Sequence, residues 1–150
     1  MIKPCDIRSF SDIEPIASKH FGTDTTLWVR GKILSPIERL FLFDKDIVIY
    51  YELIGDYKYS LHILGETKKT KSFKDFVIQT GSWMMNNTPC SCILVFAPEE
   101  NKRLQMFIGL TGGERVGLIP NANNDKGEIL FMFTKTNREN LERRVSCQQQ

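Results

Sequence analysis

Apolar side chains change their period several times along the chain, and each change marks an element. Ile2 to Ile7 predicts a short opening strand. From Ser11 the period becomes helical: Ile13, Ile16, Ala17 and His20 recur at helical spacing, Ser11 and Glu14 have the spacing of a capping box, and Gly22 suits a left-handed stop. Thr25 to Leu34 carries Trp28, Val29, Ile33 and Leu34 and predicts a second short helix ahead of Pro36. The text then turns to β-branched and aromatic runs broken by polar residues. Arg39 to Phe43, Ile47 to Leu53 and Tyr57 to Leu64 predict antiparallel strands around the turns Asp44-Lys45-Asp46 and Ile54-Gly55-Asp56.

After polar Gly65 to Lys71, Ser72 is placed to cap a helix whose Phe73, Phe76, Val77, Thr80 and Met84 form one apolar stripe. Cys90 to Ala97, between Pro89 and Pro98, is a continuous apolar run, as in a strand buried on both faces at the centre of a sheet. Glu99 and Glu100 open a helix carrying Leu104, Phe107, Ile108 and Thr111, which ends at Gly112-Gly113. Arg115 to Ile119 and Glu128 to Thr134 flank the turn-rich stretch Pro120 to Gly127 and predict a closing hairpin. Thr136 with Glu139 begins a short charged helix in which Arg138, Arg143 and Arg144 alternate with Glu139 and Glu142, and Gln148 to Gln150 are expected to fray. No repeat or linker divides the chain, so residues 1–135 are expected to form one α/β domain and 136–150 a charged tail. Strands Tyr57–Leu64 and Cys92–Ala97, joined by a helix, are expected to lie parallel.

Composition narrows the function classes. A chain of 150 residues can bury a core without cross-links, and its 41% apolar and 25% charged residues are ordinary globular values. A net charge of +2 sets up no strong field, which argues against a nucleic-acid or membrane-surface protein. Neither a signal peptide nor a run long enough to cross a bilayer is apparent, so a cytoplasmic location is expected. Cys5, Cys90, Cys92 and Cys147 include one C-x-C pair and no C-x-x-C repeat. In a strand Cys90 and Cys92 share one face, which suits packing better than tetrahedral zinc, so no metal is expected. Nucleophile elbow, metalloprotease, P-loop and dinucleotide motifs are all missing from the text.

The order of elements resembles that of the GNAT superfamily, the acetyl-CoA-dependent N-acetyltransferases. Ile2-Lys3-Pro4-Cys5-Asp6-Ile7 followed by Asp12-Ile13-Glu14-Pro15-Ile16-Ala17 is similar to the family's opening strand and first helix. Val95-Phe96-Ala97-Pro98-Glu99-Glu100-Asn101, then Leu104 and Gly112, resembles its late strand, Asn-led helix and helix-ending Gly. The resemblance implies a three-layer fold with a twisted, mixed sheet of about six or seven strands flanked by helices. Within the superfamily the chain resembles compact proteins encoded by bacteriophages, some of which travel inside virions, which implies host cytoplasm or a virion as its location.

The resemblance also implies where a cofactor would sit. In the family acetyl-CoA inserts between the fourth and fifth strands, and its pyrophosphate rests on backbone N–H groups of a Q/R-x-x-G-x-G/A loop opening the next helix. The corresponding stretch, Glu66 to Phe73, contains no glycine. Lys68, Lys69, Lys71 and Ser72, with Asn101 at the later helix, are the candidates for holding acetyl-CoA; the same lysines equally fit a solvated loop. Where the family often places a Tyr to protonate the departing thiolate, this chain has Ile108, with Phe107 beside it. His62, with Glu52, Tyr50 and Tyr51 on the neighbouring strand, offers a water-relayed general base, or else His62 is a part-buried strand histidine with a structural partner. His20, at the end of the first helix, suits a structural role against the helix dipole. Two functions follow. One is a GNAT-fold protein that needs no cofactor and serves a protein partner as a structural or interaction component. The other is an N-acetyltransferase acting on an amine. Departures in two separate elements of the family's site favour the first.

Overall fold

The computed structural model describes residues 2–137 together with Glu139, Arg143 and Cys147. Most of the expected tail helix, including Arg138, Glu142, Arg144 and the closing glutamines, lies outside the described residues.

The expected opening strand does not form. Residues 2–6 have no regular secondary structure, although the Cys5 N–H donates to Leu40 O at 2.8 Å. Pro4 removes one ladder donor, and Asp6 turns the chain locally by accepting the Arg8 N–H at 2.9 Å, starting a single 3-10 turn over Ile7–Ser9. That turn runs straight into α1 (Phe10–Phe21), so Ser11 already lies inside the helix and the expected capping box is not made. Glu14 instead accepts from Ser18 Oγ at 2.5 Å. Gly22 ends α1 as expected, at φ 69° with its N–H on Ser18 O at 2.8 Å, and α2 (Thr26–Leu34) follows.

Strands β1 (Arg39–Phe43), β2 (Ile47–Gly55), β3 (Lys58–Leu64), β4 (Cys92–Pro98), β5 (Glu114–Asn123) and β6 (Lys126–Thr134) form one mixed sheet in the order β1-β2-β3-β4-β6-β5. Only β3 and β4 run parallel, joined through α3 (Lys71–Asn87); α4 (Lys102–Leu110) follows β4. The period-2 alternation of the strands divides the core into two layers. Phe41, Ile49, Tyr51, Tyr59 and Leu61 pack with Phe73, Val77 and Met84 of α3 and Ile108 of α4. On the opposite face Leu40, Val48, Tyr50 and Leu64 pack with Ile13, Ala17 and Val29 of α1 and α2. The result is the expected α/β arrangement of helices on both sides of a mixed sheet, with six strands. No described helix is long and apolar enough to cross a membrane.

Three further expectations change. Thr70, not Ser72, caps α3: its extended backbone lets Oγ1 accept the Phe73 N–H at 3.2 Å, leaving Ser72 in the first turn. β4 is central but not buried on both faces, because Ile93, Val95 and Ala97 are buried toward α3 and α4 whereas Phe96 on the other side is 38% exposed. The loop expected over Pro120 to Gly127 contracts to Asn124 and Asp125, at φ 48° and 65°, because both strands extend toward the turn.

Phe73 has no exposed surface and stacks on Phe107 at 5.5 Å between ring centres. Phe73→Ala should therefore cost about 3–5 kcal/mol, through lost burial and the cavity left behind. Denaturant unfolding measures this, and a loss below about 1 kcal/mol would contradict close packing of α3 against α4.

Candidate functional site

The sheet is split from one end. β3 pairs with β4 only at Lys58–Cys92, Tyr59–Ile93 and Ser60–Leu94. β2 nevertheless follows β3 as far as Leu64, and β6 follows β4 as far as Pro98. Leu61–Leu64 and Val95–Pro98 therefore diverge as the arms of a fork, each held by its outer neighbour and facing the other without strand pairing. Backbone polar groups along such arms are available to a ligand. This is where the family resemblance implies acetyl-CoA.

At the mouth of the fork the loop after β3 makes contacts of its own, beside an open cavity of about 640 Å³ lined by Asp46, Gly65, Glu66, Thr67 and Lys68 with Ile16 and His20 of α1. Gly65 turns at φ 99°, and a Cβ there would stand 2.6 Å from Asp46 O, so the loop passes tightly over the β1–β2 turn. Lys68 Nζ lies 2.7 Å from Asp46 Oδ2 and 3.7 Å from Asp44 Oδ2, and 5.5 Å from the centre of the Phe43 ring. The hydrogen bond to Asp46, helped by the charges of both acids, raises the Lys68 pKa and fixes its charge on that turn. Lys69, Lys71 and Ser72 are exposed, with Ser72 Oγ 3.2 Å from Thr70 Oγ1. Thr70 takes up two of the first amides of α3: its Oγ1 accepts from Phe73 and its carbonyl from Lys74 at 3.1 Å. Behind them the Phe73–Phe107 stack, with planes 15° apart, joins α3 to α4. Asn101 does the local work expected of it, Oδ1 accepting the Leu104 N–H at 3.1 Å to cap α4, and Ile108 is buried. The lysine loop and Asn101 thus belong to separate helix starts, and Lys68 is already engaged.

The base candidates, in contrast, are brought together. β2–β3 register sets Tyr50 opposite His62 and Glu52 opposite Ser60, so Glu52 and His62 are diagonal neighbours on the α1/α2 face. His62 Nε2 lies 3.0 Å from Glu52 Oε2, an ion pair only when the imidazole is protonated. The Tyr50 ring stacks on the imidazole at 4.5 Å and 12°. Trp28 meets Tyr50 edge-on at 5.2 Å, and Lys32 Nζ stands 5.7 Å from both ring centres while pairing with Glu38 at 2.6 Å. Burial depresses the His62 pKa, Glu52 opposes that, and Lys32 adds to the depression, so the ring is neutral at neutral pH. Burial, with Glu52 and Glu38 adding, pushes the Tyr50 hydroxyl up to about 12. Tyr51 does not join this group: it points into the other layer, bonded to Thr80 Oγ1 at 2.8 Å. His20 lies away from this group, edge-on to Phe21 at 5.1 Å.

Trp28, Lys32 and Glu38 were missed from sequence. Trp28 and Lys32 stand four residues apart on α2 and so share a face, but nothing in the text says which face meets Tyr50. Chemically, the arrangement offers a neutral imidazole beside a carboxylate at the edge of the fork, able to accept a proton.

No family model and no curated protein matches the sequence. Solved structures do match in three dimensions. An acetyltransferase of the GNAT family from Bacillus cereus ATCC 10987 superposes with a TM-score of 0.68 at 20% identity, over 90% of this chain and 96% of that one. A mutant form of the spermidine N-acetyltransferase SpeG from Vibrio cholerae superposes with a TM-score of 0.74 at 9% identity, over 93% of this chain and 97% of that one. The chain has the GNAT fold, the three-dimensional arrangement of these N-acetyltransferases, across nearly its whole length. At such identities the likeness establishes the architecture, and the chemistry has to be argued from the residues.

His62 gives the group a measurable pH signature. Because its folded pKa lies below the ordinary 6.5, the unfolded chain binds the proton first and stability should fall as pH drops through that value. In His62→Gln that part of the slope between about pH 7.5 and 5.5 should vanish. Urea unfolding across this range checks it, and an unchanged slope would show that the ring is not held neutral by its surroundings.

Proposed function

We propose that this GNAT-fold chain works as a structural or interaction component and needs no acetyl-CoA. The observation that carries this is the mouth of the fork, where Lys68 is held by Asp46 and Asp44 and the stretch Glu66 to Phe73 offers side chains where a backbone cradle needs glycine. Ile108 and Phe107 supply no hydroxyl for a departing thiolate. The residues present do not fit the pyrophosphate end of acetyl-CoA. Resemblance to compact bacteriophage-encoded members extends the proposal to a place: a protein partner in a phage particle or in the host cytoplasm.

A second reading, N-acetyl transfer to an amine, is favoured by one observation, the neutral His62 beside Glu52 at the edge of the fork. In that reading His62 is the proton acceptor and Glu52 its charge partner.

Acetyl-CoA separates the two. A ligand at about a hundred times its dissociation constant stabilises a protein by about 2.7 kcal/mol. The proposal expects no rise in melting temperature at millimolar acetyl-CoA and no coenzyme A release with a panel of amines. Turnover that is lost in His62→Gln would overturn it and establish the second reading.

A further inference from the structure

Among the described residues, one half of the sheet is covered on one side only. α1 and α2 pack against β1, β2 and β3. Leu94 and Phe96 of β4, Leu130 and Met132 of β6 and Ile119 of β5 join neither hydrophobic cluster. Register places all five on the face away from α3 and α4: Leu94 lies opposite Met132, Phe96 opposite Leu130, and Ile119 opposite Glu128. Phe96 and Ile119 are each 38% exposed, and the other three are half-buried. Side by side on adjacent strands, they form a continuous apolar surface rather than scattered residues.

The rim of this surface is acidic. Glu114 lies opposite Met132, Glu128 lies between Pro98 and Ile119, and Glu52 on β2 lies opposite Ser60, whose β4 partner is Leu94. Lys58, opposite Cys92, and Lys126, two residues before Glu128, are lysines of the same face, and Lys126 lies 3.9 Å from Glu100. Lys32 and Glu38 neutralise each other, and His62 is uncharged at neutral pH. Among the described residues of this face the carboxylates Glu52, Glu114 and Glu128 therefore meet the lysines Lys58 and Lys126, the latter already beside Glu100.

We propose that this face docks a segment of a partner protein that presents apolar side chains flanked by lysine or arginine. The inference rests on the interaction function above and names the partner's chemistry. A second copy of this chain would set Glu52, Glu114 and Glu128 against carboxylates of its own kind, and a nucleic acid would meet the same negative rim. Addition of a strand at the β5 edge is also disfavoured. Pro120 lacks a donor, and irregularities between Arg115 and Gly117 and between Ile119 and Asn123 break the ladder there. The partner segment lies on the face and does not extend the sheet.

The probe is a capped synthetic peptide alternating leucine and lysine, compared with the same peptide carrying glutamate in place of lysine, each titrated calorimetrically into the full chain. Saturable binding of the lysine peptide alone is expected, weakened about tenfold or more by Phe96→Glu and also weakened between about 50 mM and about 500 mM salt. Phe96→Ser, with its melting temperature recorded, separates loss of the surface from loss of the fold. Absence of binding, equal binding of both peptides, or unchanged binding by a folded Phe96→Glu chain would overturn the proposal. So would sedimentation showing a dimer that Phe96→Glu splits, since a second copy would then own the face. Acetyl-CoA turnover with peptide binding intact would sink only the preceding functional reading.

Discussion

The short parallel pairing of β3 with β4 is the constraint on which the remaining architecture depends. It joins two antiparallel halves, β1-β2-β3 and β4-β6-β5, through three residue pairs and no more. Parallel strands need a long crossover, and α3 supplies it, so one helix must lie across the join. There Tyr51 reaches from β2 to Thr80, whose hydroxyl in turn donates to Val77 O at 2.9 Å, so that a buried polar pair is fully used. Where the pairing stops, the halves separate and the fork opens.

What distinguishes this chain is how the fork's mouth is treated. A backbone cradle for a pyrophosphate needs close approach and unspent amides at a helix start. Here Thr70 Oγ1 takes the Phe73 amide at the start of α3, Lys68 is drawn back onto Asp46 and Asp44, and aromatic side chains join α3 to α4. Deeper in, the α1/α2 face carries a polar cluster around His62, so organised side chains stand at the edge of the fork.

Much of this fold was legible in the text. Alternation in β2 and β3, the helical stripe of α3 and the Gly22 stop are local patterns, and the strands and helices that they specify stand where expected. Local competition explains the misses: Asp6 and Thr70 win hydrogen bonds that the sequence equally allowed to an opening strand and to Ser72. The one-sided burial of β4 was hidden because an apolar run looks the same whether or not a helix covers its second face. At the candidate site the meeting of His62 and Glu52 followed from strand pairing, whereas Lys32 and Glu38 depend on how α2 docks, which no short-range pattern encodes. Engagement of Lys68 by the β1–β2 turn was likewise a tertiary fact.

The central claim, that the start of α3 gives no seat to a pyrophosphate, can be tested directly on backbone amides. With a nitrogen-15-labelled chain, coenzyme A titrated to millimolar concentration should leave the amide signals of Lys71, Ser72, Phe73 and Lys74 where they are. Saturable shifts concentrated at those four amides would mean that a pyrophosphate does settle on the start of α3, and would contradict the account.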